Sequence, residues 1–266
     1  MSARLQTLSF RNFGVALQGR ALLTDLTFRI GAGERVALLG QSGSGKSLSA
    51  RAALGLLPRQ MTLSGTVEVN GTDIARTHAL NRLPATRVAM IMQDTQSALN
   101  PLTSVGHQIQ RPLMRHRGLS RAAAREEAAR LMMRMGLPGA EILDRCSPEL
   151  SGGQRQRVCI AMALASDAPF LIADEPTTAL DVVTQAGILK LLRAVTEAPG
   201  GPGLLFITHD LHAAAHLCDR ALVLDGGRIV EDGPMAQILN RPAEPYTRSL
   251  VQAAQGCGIG CERLYA

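Results

Sequence analysis

Residues 40–47 have the sequence Gly40-Gln41-Ser42-Gly43-Ser44-Gly45-Lys46-Ser47, which fits the pattern G-x-x-x-x-G-K-[ST]. An apolar run at 35–39 precedes it and predicts a buried strand, and residues 48–56 predict a helix after it. The glycines let the backbone wrap around phosphate oxygens, toward which the helix N-terminus points its positive dipole end. Lys46 can reach the outer phosphates, and the Ser47 hydroxyl can hold a Mg²⁺ ion. The stretch therefore predicts a nucleotide-binding protein.

Lysine is rare in this chain, and its placement strengthens that prediction. Of 28 Lys and Arg residues, only Lys46 and Lys190 are lysines. Arg presents a flat fork of donors, whereas Lys presents a compact charge on a flexible stem. A chain that uses Arg almost throughout has thus placed a point-charge cation in the loop. An ordinary Gly- and Ser-rich turn is the alternative, and the strand–loop–helix context disfavours it.

Composition narrows the class of protein. The 266 residues, 46% of them hydrophobic, suffice for one large α/β domain or two closely packed ones. No apolar run reaches the roughly 20 residues of a membrane helix, and the polar N-terminus does not resemble a signal peptide, so we expect a soluble, cytoplasmic protein. A net charge of +6 is compatible with nucleic acid or an anionic membrane as a partner, but only 3% of the residues are aromatic and the basic residues are spread along the chain. This pattern favours a solvated surface beside a membrane over binding of nucleic acid. Cys257 and Cys261 resemble a ligand pair but lack further partners for a metal site.

The hydrophobic pattern predicts strands that alternate with helices, and hence a largely parallel sheet with antiparallel strands near the N-terminus. Between residues 98 and 150 strand signals disappear and helical ones replace them, which predicts an inserted all-helical subdomain. The predicted strands are 5–11, 22–30, 65–69, 88–92, 170–173, 204–208, 220–224 and 228–231, and the predicted helices are 121–135, 154–165, 182–197, 211–217 and 246–254.

Two carboxylates follow the apolar strand at 170–173. Asp174 is placed to support a magnesium ion, and Glu175 is placed to polarise a water molecule for attack on a γ-phosphate. A solvated acidic turn is the alternative. The phosphate loop upstream favours the catalytic interpretation.

A second phosphate-type nest begins another helix, with the sequence Ser151-Gly152-Gly153-Gln154. Either one chain binds two phosphates, or two chains meet head to tail and share each nucleotide. This stretch resembles the signature of the ATP-binding cassette (ABC) family. Gln93, at the end of a strand, is similar to that family's Q-loop, and His209, at the end of a later strand, to its switch histidine.

The resemblance also includes the D-loop, Ala179-Leu180-Asp181, and extends over essentially the whole chain. It implies an α/β P-loop NTPase (RecA-like) core with an N-terminal antiparallel β subdomain and an inserted all-helical subdomain. The implied boundaries are 1–97 and 153–241 for the two parts of the core, 98–152 for the helical subdomain and 242–266 for a C-terminal extension. ATP and Mg²⁺ are the implied cofactors, with Lys46, Gln93, Glu175 and His209 as catalytic residues. Residues 40–47, 151–154 and Asp181 would bind the nucleotide, and Ser47, Gln93 and Asp174 the metal.

The chain departs from the family at the position where an aromatic side chain usually stacks on adenine. Aligning residues 8–12 with the usual start places Leu17 there. We therefore expect weaker adenine stacking, or stacking supplied by another residue such as Phe13.

Three stretches, 93–102, 181–186 and 242–250, resemble the peptide/nickel importer group, and most of all the ATPases that import nickel or metal–opine chelates. The implied function is ATP hydrolysis that powers import of a nickel ion or metal chelate, with oligopeptide or dipeptide import as the alternative. The implied partners are a second ATPase chain (a heterodimer favoured, a homodimer also considered), permease subunits and, indirectly, an extracytoplasmic solute-binding protein. The implied location is peripheral, at the cytoplasmic face of the inner membrane. A soluble non-transport ABC protein and an accessory component of carbon–phosphorus lyase are alternatives of another class.

Overall fold

The computed structural model describes residues 6–178 and 180–256, which form two sheets surrounded by helices. One sheet has four strands in the order β2-β1-β4-β5, and the other has six in the order β10-β9-β3-β8-β7-β6. The strands are β1 (Thr7–Leu17), β2 (Arg20–Gly31), β3 (Arg35–Leu39), β4 (Met61–Val69), β5 (Thr72–Asp73), β6 (Val88–Ile91), β7 (Phe170–Asp174), β8 (Gly203–Thr208), β9 (Arg220–Asp225) and β10 (Arg228–Pro234). The helices are α1 (Lys46–Leu54), α2 (Thr95–Ala98), α3 (Val105–Arg117), α4 (Arg121–Arg134), α5 (Gly139–Ile142), α6 (Gly152–Ala165), α7 (Val182–Glu197), α8 (Leu211–Leu217), α9 (Met235–Asn240) and α10 (Pro245–Gly256).

The four-stranded sheet is antiparallel throughout. Its hairpin between β4 and β5 turns at Asn70 and Gly71, whose φ angles of 54° and 78° are those of a tight type I′ turn. Under this sheet the rings of Phe10 and Phe28 stack with centroids 4.5 Å apart, and Phe13 meets Phe10 edge to face at 5.7 Å. The ring contacts join β1 to β2 and form part of the hydrophobic core on one face of the antiparallel sheet.

In the six-stranded sheet β9, β3, β8, β7 and β6 run parallel, and β10 closes one edge antiparallel to β9. Alternate residues of β3 enter different cores: Ala37 and Leu39 pack toward the helices, while Val36 and Leu38 pack toward the antiparallel sheet. Burial on both faces explains why β3 is a continuous apolar run. Because neighbouring parallel strands end at one edge, the loops after β3, β6, β7 and β8 lie side by side.

Between β6 and β7 the chain is helical, with α2 to α6 packed mainly through α3, α4 and α6. Ser104 and Ser120 cap α3 and α4 by accepting from backbone N–H groups three residues on. The helical insert predicted from the sequence is therefore present. The subdomain boundaries at 98 and 152 remain predictions.

Most predicted elements are found, with differences at their ends. The β4 strand starts at Met61 rather than Gly65, and α1 and α6 start at Lys46 and Gly152, each earlier than predicted. Glycines at 65 and at 152–153, disfavoured in regular elements, hid the starts of β4 and α6. Helices α2, α3, α5 and α9 and the two-residue strand β5 were not predicted individually. No helix among the described residues is long and apolar enough to cross a membrane. Cys257 and Cys261 lie outside the described residues.

Candidate functional site

Four loops at the carboxyl edge of the parallel strands surround a cavity of about 500 Å³. They follow β3, β6, β7 and β8, and each brings at least one residue predicted from the sequence. The β1–β2 hairpin closes one side through Leu22. The cavity is lined by Leu22, Ser42, Gly43, Gly45, Lys46, Ser47, Leu48, Gln93, Glu175, Thr178 and His209.

The loop between β3 and α1 has a backbone that depends on glycine at two positions. Gly45, the N-cap of α1, has φ 108°, a left-handed conformation that L side chains rarely adopt. At Gly40 an added Cβ would lie 2.3 Å from the Leu224 carbonyl oxygen. The loop therefore has no room for side chains where it turns, and its amides and the α1 N-terminus face the cavity.

Lys46 is only 7% exposed, and its ammonium group is held by the loop itself. Nζ donates to the carbonyl oxygens of Gly40 at 2.7 Å and Gln41 at 2.8 Å. Burial lowers the pKa of Lys46, while the negative charges of Glu175 and Asp174 act in the opposite direction. A phosphate placed in the cavity would supply the counter-charge that a partly desolvated ammonium group lacks.

Asp174, the last residue of β7, is 6% exposed and lies beside Ser47. Burial raises its pKa, the Ser47 hydrogen bond lowers it, and the nearby Glu175 raises it further. Its Oδ1 atom is buried and has no hydrogen-bond partner in the described part of the chain. The Ser47 hydroxyl and the unpaired carboxylate oxygen of Asp174 are together suited to a Mg²⁺ ion, because Mg²⁺ binds through one or two carboxylates and substrate phosphates.

No group of three or more His, Cys, Asp and Glu side chains within 6–178 and 180–256 could hold a metal on its own.

Glu175 is held by two side chains and an unusual backbone. Its Oε2 accepts from the Thr178 hydroxyl at 2.7 Å, and its Oε1 lies 2.9 Å from His209 Nδ1. Its φ of 47° is left-handed, which costs about 1 kcal/mol or more for a residue other than glycine. The Glu175 N–H, which donates to the Ile207 carbonyl at 2.9 Å, helps to keep this conformation. A carboxylate that is held by contacts to two side chains and carried on a strained backbone, at the wall of the cavity, is suited to orienting a water molecule.

Gln93 follows β6, is exposed and lines the cavity shortly before α2. Asp94 caps α2 by accepting from the Gln96 N–H at 2.9 Å. Gln93 is thereby placed at the junction between the sheet and the helical segment.

The stretch 151–154 does not line this cavity. Ser151 caps α6, where its hydroxyl accepts from the Gln154 N–H at 3.2 Å while Gln154 Oε1 accepts from the Ser151 N–H at 2.9 Å. This reciprocal pair uses two of the amides at the start of the helix. A Cβ added at Gly153 would lie 2.7 Å from Thr184 Cγ2, so the start of α6 packs against the start of α7.

Asp181 caps α7 and lies near that contact. It accepts from the backbone N–H and the hydroxyl of Thr184 at 3.0 and 2.6 Å, and these hydrogen bonds lower the pKa of Asp181. Ala179, at the start of the same predicted loop, lies outside the described residues.

The structure thus brings Lys46, Ser47, Gln93, Glu175 and His209 together in one cavity. Residues 151–154 and Asp181 are not among the residues that line it.

Phe13 cannot take the place of an aromatic at Leu17. Its ring has 0% exposure and packs against Phe10, so the expectation that Phe13 stacks on adenine is wrong. Strict alternation would place Phe10 and Phe13 on opposite faces of the strand, but the register shift between them in β1 brings both rings into the core. Among the described residues that line the cavity, the hydrophobic ones are Leu22 and Leu48.

Leu22, Leu48 and Thr178 line the cavity without having been predicted as site residues, and Tyr246, which contacts the phosphate loop, was not predicted either. Thr178 could have been identified as a hydroxyl three residues after Glu175, within reach of that carboxylate. Tyr246 accepts a hydrogen bond from the Gln41 N–H at 2.9 Å, across a sequence separation of 205 residues, and no local pattern reveals such a contact.

Comparison with known proteins finds matches to ATP-binding proteins of transporters. Residues 23–178 match the family model described as ABC transporter. A putative peptide import ATP-binding protein of Brucella abortus is 40% identical over 250 residues, covering 90% of this chain and 74% of the relative. The oligopeptide transport ATP-binding protein OppD of Escherichia coli is 42% identical over 234 residues, covering 87% of this chain and 69% of the relative.

Solved structures share the fold. The cbiO1 protein of Clostridium perfringens, described as part of the ABC transporter complex cbiONQ, superposes with a TM-score of 0.74 at 25% identity, over 88% of this chain and 90% of that one. The ATP-binding cassette MJ0796, described as a dimer in a post-hydrolysis state with ADP and Pi, superposes with a TM-score of 0.73 at 27% identity, over 86% and 98% of the two chains.

Proposed function

This chain belongs to the ABC transporter family as an ATPase subunit of an importer, and we propose that its cavity is one half of a composite ATP site. The other half is the stretch equivalent to 151–154 on a second ATPase chain. The observation that carries this proposal is the separation of the two anion-binding helix starts. The start of α1 faces the cavity, whereas the start of α6 does not line it.

Different residues of this chain bind the phosphates, hold the metal and accept a proton. Lys46 and the amides of the phosphate loop bind and orient the outer phosphates. Ser47 and Asp174 hold Mg²⁺, which supplies charge neutralisation at the phosphate oxygens when it is bound. Glu175 accepts the proton of the attacking water, with Thr178 and His209 fixing the direction of its carboxylate. Gln93 and His209 also line the cavity and are proposed to contact the γ-phosphate.

A signature variant tests the composite site. Ser151→Arg places a large cation at the start of α6 without touching the cavity. We expect the variant to bind ATP like the wild-type chain, to fail to dimerise with ATP and to lose hydrolysis. An ATP titration measures binding, light scattering follows the dimer, and phosphate release measures hydrolysis. If Ser151→Arg hydrolyses ATP at the wild-type rate, the site is complete within one chain.

The partner in the membrane is proposed to be a pair of permease subunits, which dock in a groove between the sheet and the helical segment. This groove, of about 280 Å³, has an apolar floor that includes Val88, Ala89 and Met162. Leu80 lines this groove and is 62% exposed, and Leu83, which directly follows the lining residue Arg82, is 69% exposed. Exposed apolar patches of this kind mark interaction sites. The proposed location is accordingly peripheral, at the cytoplasmic face of the inner membrane.

A charge introduced at the groove tests this docking. Leu83→Asp should abolish co-purification with the permease and leave ATP binding unchanged. Met133→Asp, which changes a 59% exposed residue on α4 away from the groove, is the matched control. Equal recovery of permease with Leu83→Asp and wild type would reject the docking surface.

The cargo proposed is a peptide. The relatives of 40–42% identity are named for peptide or oligopeptide import, which favours the second of the two cargoes predicted from the sequence over nickel or a metal chelate. An ATPase chain does not contact the cargo, so this part of the proposal depends on relatives rather than on the site. Measuring which solute the associated solute-binding protein retains, a peptide or a metal chelate, decides between the two.

Co-purification also tests the proposals of another class. A membrane permease with a second ATPase chain supports the importer, whether that chain is different or identical. Recovery with ribosomes or nucleic acid would indicate a soluble ABC protein instead, and recovery with a soluble lyase complex would indicate the carbon–phosphorus lyase accessory role.

A further inference from the structure

Helix α10 reaches the phosphate loop through one hydrogen bond. The Gln41 N–H donates to Tyr246 Oη at 2.9 Å. Gln41 is the second residue of the loop, and Tyr246 is the second residue of the helix. This contact joins the ATP-binding loop to the C-terminal part of the described chain, which the mechanism above does not use.

The peptide unit that makes this bond is one of the two that hold Lys46. Its N–H belongs to Gln41, and its C=O belongs to Gly40, which accepts from Lys46 Nζ at 2.7 Å. The unit is therefore bound at both ends, by the Tyr246 hydroxyl at one end and by the ammonium group at the other. Hydrogen bonds in a chain polarise one another, so the bond to Tyr246 strengthens the carbonyl as an acceptor.

The helix that carries Tyr246 is itself firmly attached. Before it, the Glu231 carboxylate of β10 accepts from the Ala243 and Glu244 N–H groups at 2.9 and 3.1 Å. Burial alone would raise the pKa of Glu231, but hydrogen bonds from Ala243, Thr247 and Glu244 lower it. Along the helix, Val251 is 5% exposed and belongs to the main core. The tyrosine hydroxyl thus has a fixed position relative to the sheet.

We propose that Tyr246 is a positioning residue for nucleotide binding, whose hydroxyl fixes the Gly40–Gln41 peptide and thereby the resting position of Lys46. Any displacement of α10 would reach the phosphate loop through this bond. Tyr246 does not touch the reacting atoms. It acts through the loop backbone, so its loss weakens ATP binding more than it slows hydrolysis at saturating ATP.

The test removes the hydroxyl and keeps the ring. In the full chain, Tyr246→Phe should bind ATP about fivefold more weakly, which corresponds to the roughly 1 kcal/mol of one hydrogen bond. KM for ATP should rise by a similar factor while kcat stays unchanged. Amide hydrogen exchange should accelerate at Gln41 and its neighbours in the loop, with the melting temperature close to that of the wild type.

Ser249→Ala is the matched control. It removes a hydroxyl from the same helix, where Ser249 Oγ bonds to the Pro245 carbonyl and not to the loop. This variant should keep wild-type ATP affinity and loop exchange. Wild-type affinity and exchange in Tyr246→Phe, or equal changes in both variants, would overturn the proposal. Failure of the wild-type chain to bind ATP would instead overturn the proposed function.

Discussion

Replacing Glu175 with glutamine is the sharpest test of the proposed chemistry, because the structure predicts that it changes the proton acceptor and little else. The introduced glutamine side chain has the same shape as the native one, and its amide oxygen can still accept from the Thr178 hydroxyl. Its NH₂ group can donate to His209 Nδ1 in the neutral tautomer that leaves this nitrogen unprotonated. We therefore expect the free energy of unfolding to change by less than about 1 kcal/mol.

The expected loss of rate is much larger. A positioned general base contributes typically about 10²- to 10⁴-fold, which corresponds to about 3–5 kcal/mol of transition-state stabilisation. ATP binding should persist, since Lys46, Ser47 and Asp174 are unchanged. A chain that binds ATP without hydrolysing it should accumulate as a closed, ATP-bound dimer.

The assay is ATP hydrolysis by the purified full chain at concentrations at which it self-associates, so that each site is built from this chain alone. Size-exclusion chromatography with light scattering follows the dimer. Glu141→Gln, which changes an exposed carboxylate on α5, is the control and should behave as wild type. Unchanged turnover in Glu175→Gln would remove Glu175 from the catalytic role.

Two further changes test the metal contact and the stacking of the base. Asp174→Asn should raise the melting temperature of the nucleotide-free protein, because burial places the pKa of Asp174 above its unfolded value and ionising it therefore costs stability at neutral pH. This gain, measured by calorimetry, should shrink as the pH falls through that raised pKa and should come with loss of Mg²⁺-dependent ATP binding; a lowered melting temperature at neutral pH would contradict it. Leu17→Tyr should bind ATP about fivefold more tightly or better, as stacking of a base on an aromatic ring contributes about 1 kcal/mol or more. Inorganic triphosphate, which has no base, should bind wild type and variant equally, and an equal gain for both ligands would contradict base stacking.

The catalytic residues of the site were predictable because they follow buried parallel strands, whereas Leu22 and Thr178, which also line the cavity, were not predicted. Gln93, Asp174 with Glu175, and His209 come directly after apolar runs, and parallel strands bring their carboxyl ends to one edge. The sequence alone therefore implied that these side chains meet.

Other features depend on tertiary contacts that no short pattern contains. The register shifts in β1 decide that Phe13 is buried rather than facing the site. The left-handed backbone of Glu175 is stabilised by Ile207 on a neighbouring strand. Tyr246 meets Gln41 only because β9, β10 and α9 return the chain to the phosphate loop. Each of these is set by packing between distant segments, not by local propensity.

The alternating burial of β3 has a consequence for how the protein unfolds. Ala37 and Leu39 belong to the hydrophobic core under the helices, and Val36 and Leu38 belong to the core under the antiparallel sheet. A single five-residue strand is thus shared by both cores. Neither core can melt while the other keeps its full packing, so denaturant should unfold the two in one cooperative transition. The phosphate loop, which begins where this strand ends, should then persist until that transition and disappear with it.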